Sequence, residues 1–86
     1  MSYGPFTSAC TAENRQRYLI ELRALVRVFA GPAASEASTA LGHAVHAPDD
    51  EARLDAARRA IDALPSRPRR RVLATFAALR REVMHD

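Results

Sequence analysis

The sequence predicts an all-α fold, a small bundle of three to four helices, and three observations carry the prediction. Helix formers dominate, with eighteen alanines and thirteen arginines among 86 residues and no lysine. The chain holds only three glycines and five prolines, and the breakers gather at Gly31-Pro32, Pro48 and Pro65 to Pro68. Between them, apolar residues return at spacings of three and four, the period of one helix face. The helices are expected near 12–30, 33–46, 50–64 and 68–84, with residues 1–10 as a flexible N-terminal segment and 11–86 as a single helical domain.

Thr11 is placed to cap the first helix, and Glu13 suits its positive end. Tyr18, Leu22, Leu25 and Phe29 form the expected core stripe, widened by Leu19 and Val26. Ile20 and Val28 fall outside it, on the outer face, and are candidates for a contact surface. Gly31 stops this helix and Pro32 opens the next, where Ala33, Ala37, Ala40, Leu41 and Ala44 make a small-residue side that permits close helix approach. Asp49 is the expected cap of the third helix, whose core side is Leu54, Ala57, Ile61 and Leu64 and whose surface pairs are Asp55–Arg59 and Arg58–Asp62. Ser66 is the expected cap of the last helix, with Val72, Phe76, Leu79 and Val83 facing the core. Large core side chains are few, so self-association is expected as a supplement to stability.

Charge is segregated along the chain. Residues 1–30 carry four arginines and two acids (+2), residues 31–66 three and six (−3), and residues 67–86 six and two (+4). Such a distribution suits pairing within or between chains as well as an external polyanion.

Several function classes find no support. The single cysteine, Cys10, gives no intramolecular disulfide, and a reducing cytoplasmic location is expected. The first residues show no basic leader followed by an apolar run, and no stretch approaches the length of a membrane helix. His43 and His46 are three apart, but the acids nearby are explained by a helix start, so neither a metal nor any other cofactor is expected. There is no glycine-rich phosphate loop and no ordered nucleophile–base pair, so the sequence does not point to an enzyme.

The most suggestive local feature is Arg67, Arg69, Arg70 and Arg71 at the start of the last helix, extended by Arg80 and Arg81. The run LPSRPRRRVLATFAALRR, residues 64–81, resembles the Leu-Pro and basic helix in the promoter-binding region of some sigma factors. The following turn and second recognition helix have no counterpart here, and no function is carried over. The leading expectation is a protein–protein interaction or regulatory module that self-associates. Its candidate partner-binding residues are Ile20, Val28, Arg67, Arg69, Arg70, Arg71, Arg80 and Arg81. The alternative is a nucleic-acid-associated module using the C-terminal arginines on phosphates, which leaves the acidic middle unexplained.

Overall fold

The first long helix starts where the sequence places it. The computed structural model describes residues 3–7 and 10–84, with side chains through Leu79. Helix α1 runs Ala12–Ala30, and the Thr11 hydroxyl accepts from the backbone N–H of Asn14 at 3.2 Å. Gly31 ends it at φ +52°, a left-handed value that glycine adopts without a Cβ penalty. A 3-10 turn, Gly31–Ala34, passes directly into α2, Ser35–His46. Gln16 Nε2 donates to the carbonyl of Val45 at 3.0 Å and Arg23 Nε to that of Ser38 at 3.2 Å, so α2 runs back antiparallel along α1. Helices α3, Glu51–Asp62, and α4, Ser66–Met84, complete an all-α bundle, with no strand among the described residues. It reads as four helices, or as three with the first sharply bent.

The core stripe of α1 is rotated from the expected one. Leu19, Leu22, Val26 and Ala30 are buried, whereas Tyr18, Leu25 and Phe29 are half-buried. The reason is that α1 has two helical neighbours: α2 and α4 both pack on it, and burial is deepest on the line between them. Tyr18 lies toward α4, where its ring meets Phe76 edge-on at 5.7 Å between centroids. In α2 the expected side faces inward, with Ala37, Leu41 and Ala44 buried and Ala40 half-buried, while in the turn before it Ala34 is buried and Ala33 exposed.

Asp50, rather than Asp49, caps α3: its Oδ1 accepts from the N–H groups of Ala52 and Arg53 at 3.0 and 3.2 Å. The cap must immediately precede the first helical residue, Glu51, which leaves the carboxylate of Asp49 for another partner. Ala57 and Ile61 are buried on α3, and Leu64 is buried although the helix ends two residues before it. Ser66 is inside α4, not its cap; the carbonyl of Pro65 accepts from the N–H of Arg69 at 3.0 Å, and Pro68 sits in the first turn where its missing N–H costs nothing. Val72 and Phe76 are buried, and Leu79 is half-buried.

Helix α3 packs on α2, and α4 packs on α1. The space this leaves is filled from the N-terminal segment. A 3-10 turn, Gly4–Phe6, lies against α1 and α3, and its Pro5 is fully buried. Tyr3 and Phe6 pack on the core and meet edge-on at 5.2 Å. Gly4 approaches Phe76 so closely that a Cβ there would lie 2.6 Å from Cε2 of the ring. Periodicity assigns residues 3–6 no packing role, and the sequence reads residues 1–10 as a flexible segment. Four residues are too few to show a helical period, so their aromatic, proline and glycine chemistry becomes legible only in three dimensions.

Candidate functional site

Whether an arginine is available to a partner depends on what it already holds, and most of those in the front and middle of the chain are engaged. In α3, Arg58 meets Asp55 at 2.7 Å and Asp62 at 3.6 Å, and Arg59 meets Asp55 at 2.9 Å, realising both expected surface pairs. The hydrogen bond from Arg58 holds the Asp55 carboxyl below its usual range, and the same bond raises the Arg58 guanidinium. Arg53 pairs with the capping Asp50 at 3.6 Å.

Arg15 is the most heavily engaged and is 14% exposed in its side chain. It donates to the carbonyls of Pro5 at 3.0 Å, Cys10 at 2.8 Å, Thr7 at 3.5 Å and Pro48 at 3.4 Å, and to Asp49 Oδ1 at 3.3 Å. One guanidinium thus ties the N-terminal segment and the α2–α3 connection to the start of α1. The cleft beside it, about 560 Å³, is walled by Phe6, Leu54, Asp55 and Arg58 among others. Both guanidinium groups in its lining already have carboxylate partners, so it is not a ready anion site. The Tyr3 hydroxyl is buried without a hydrogen-bond partner, and burial pushes its pKa up to about 12, with Asp62 adding to the rise and Arg58 opposing it.

The predicted site residues separate into two groups. Arg67, Arg70 and Arg71 are exposed on α4 and, among the described residues, form no ion pair or side-chain hydrogen bond. Arg69 differs: it donates to the carbonyl of Asp62 at 2.8 Å, bracing the α3–α4 turn. The side chains of Arg80 and Arg81 lie outside those described. Ile20 and Val28 are on α1, 53% and 74% exposed, the two large hydrophobic side chains most open to solvent among the described residues. No described hydrogen bond or ion pair joins the two groups.

His43 and His46 are both exposed, and no cluster of three or more metal-ligating side chains occurs among the described residues. No helix is long and apolar enough to cross a membrane. The chain has no significant match among protein-family models, curated proteins or solved structures, and the resemblance of residues 64–81 gains no support there.

Sequence reasoning missed Arg15. A signal for it existed: an arginine in the first turns of a helix opposes the positive dipole end, which asks what else the side chain holds.

Proposed function

We propose that this chain is a small helical protein-interaction module whose α4 outer face meets an acidic surface on a partner protein. The observation that carries the reading is that Arg67, Arg70 and Arg71 have no acidic partner among the described residues. Asp55 and Asp62 of α3 and the capping Asp50 are engaged by arginines of α3 itself, and the first turn of α4 holds no acid. Folding therefore leaves these charges at the positive end of a helix without internal compensation, an arrangement that an external anionic surface stabilises. Ala74, Ala77 and Ala78 are exposed further along α4 and let another helix approach closely. All five aromatic residues are at least half-buried, so no stacking platform for bases accompanies the arginines.

The test is a folded variant with Arg67, Arg70 and Arg71 changed to glutamine. Partner capture from the native extract is compared with duplex and single-strand titrations at two salt concentrations. Loss of one specific protein partner, with negligible nucleic-acid binding in both forms, supports the reading. Parent binding to nucleic acid that falls steeply with salt and disappears in the variant replaces it with phosphate contact.

A further inference from the structure

The outer face of α1 carries a second surface, separate from α4. Ile20, Ala24 and Val28 are all exposed and lie four apart, forming one continuous row about 12 Å long. Each of the first two has arginines three residues away: Arg17 and Arg23 flank Ile20, and Arg27 flanks Ala24. All three arginines are exposed. Arg17 donates to Asn14 Oδ1 and Arg23 to Ser38, neither an acid, and Arg27 has no described partner. Glu13 stands seven residues before Ile20, and Glu21 is half-buried, so the row is bordered mainly by positive charge.

We infer that this face docks an amphipathic helix of a partner protein, with an apolar row set against Ile20, Ala24 and Val28 and carboxylates set against Arg17, Arg23 and Arg27. Ala24 lets the two helix axes approach, while the larger side chains on either side of it supply the apolar contact. The positive border selects an acidic partner and argues against a second copy, because a two-fold pairing of this face would set each copy's three arginines beside the other's. The exposed row is thereby assigned to a partner of different composition rather than to the self-association expected from sequence.

The test uses the full chain and a synthetic helix of about 18 residues bearing leucine at i, i+4 and i+8 and glutamate on its flanks. Controls are a scrambled peptide and one with lysine in place of glutamate. Fluorescence anisotropy should show binding of the acidic peptide alone, weakened by salt. The double variant Ile20→Ser, Val28→Ser should weaken it by about tenfold or more at unchanged helicity. The triple variant Arg17→Gln, Arg23→Gln, Arg27→Gln should weaken it and remove most of its salt dependence. The variant of Arg67, Arg70 and Arg71 should bind this peptide like the parent.

Parent-like affinity in the serine variant, or equal binding of the scrambled peptide, would overturn the inference. Loss of binding only in the α4 variant also overturns it, moving the peptide to α4 and leaving the proposed function intact. A parent mass in light scattering that is twice that of the serine variant gives the face to a second copy instead, and overturns the inference equally.

Discussion

Replacing Gly4 with alanine tests the docking of the N-terminal turn on α4. The new Cβ would lie 2.6 Å from Cε2 and 2.8 Å from Cζ of Phe76, and the backbone would keep φ at +48°. A left-handed backbone costs an alanine roughly 1–2 kcal/mol, and forcing a methyl into a packed site costs roughly 1–3 kcal/mol. Restricting the unfolded chain returns about 0.4–1 kcal/mol, leaving a net loss of about 2–4 kcal/mol. For a domain of this size that lowers the melting temperature by roughly 10–20 °C. Detachment of the turn limits the cost, because the methyl cannot destabilise more than the buried Pro5 and the packed Tyr3 and Phe6 contribute.

The steric part can be isolated in a double-mutant cycle. Phe76→Leu removes the ring atoms that the methyl meets, so in that background Gly4→Ala should lose only the backbone component, about 1 kcal/mol. Urea melts of the four proteins, followed by circular dichroism, give the coupling directly. Equal penalties in the two backgrounds, or a Gly4→Ala melt indistinguishable from the parent, would refute the contact and with it the role given to the turn.

Three further outcomes follow from named contacts. Arg15→Gln should destabilise by about 1.5–3 kcal/mol and speed hydrogen exchange at the Phe6 and Cys10 amides, since several carbonyls lose a charged donor; parent-like exchange there would show that Arg15 does not hold the segment. Asp50→Ala should cost about 0.5–2 kcal/mol through loss of the α3 cap, and more than Asp49→Ala; the reverse order in urea melts would return the cap to Asp49. Tyr3 ionises near 12 in the fold against an ordinary value of 10, so its contribution is complete below pH 10 and is lost as pH rises toward 12, where the unfolded chain binds fewer protons. Tyr3→Phe should remove that alkaline loss and leave stability at neutral pH unchanged or higher, because the buried hydroxyl has no partner; an unaltered alkaline melt would refute the burial of this group.

The helices were legible because each is bounded by a local device that acts within four residues: the Thr11 hydroxyl, Gly31, the Asp50 carboxylate and the Pro65 carbonyl. Which residues of α1 face inward was less so. A helix between two neighbours buries the line between them, and Tyr18, Leu25 and Phe29 fit an apolar stripe on paper as well as Leu19, Leu22 and Val26 do. Of the candidate site residues, exposure of Ile20, Val28, Arg67, Arg70 and Arg71 follows from helical phase alone. Phase says nothing about Arg69 and Arg15, whose carbonyl acceptors lie seven residues away in one case and up to thirty-three in the other.

The alternation of charge along the chain takes a different meaning once the partners are known. An acidic middle between basic ends suggests that the ends fold back on the middle, yet only Arg15 of the front segment reaches a described acid there, Asp49. The other paired acids of that stretch find arginines three or four residues away on α3 itself. Such pairs are short-range and form with no loop to close, so they engage Asp50, Asp55 and Asp62 locally before any distant arginine competes for them. Among the described residues, the exposed arginines left without an acidic partner lie on the outer faces of two helices, Arg17, Arg23 and Arg27 on α1 and Arg67, Arg70 and Arg71 on α4. Exposed charges of one sign attract over about 8–10 Å at ordinary ionic strength and fix no geometry by themselves. On α1 the neighbouring Ile20 and Val28 add a contact that acts only at close range, and on α4 the exposed alanines allow a close approach. Salt should therefore slow encounter on both faces alike, whereas loss of the apolar row should raise the dissociation rate on α1 alone.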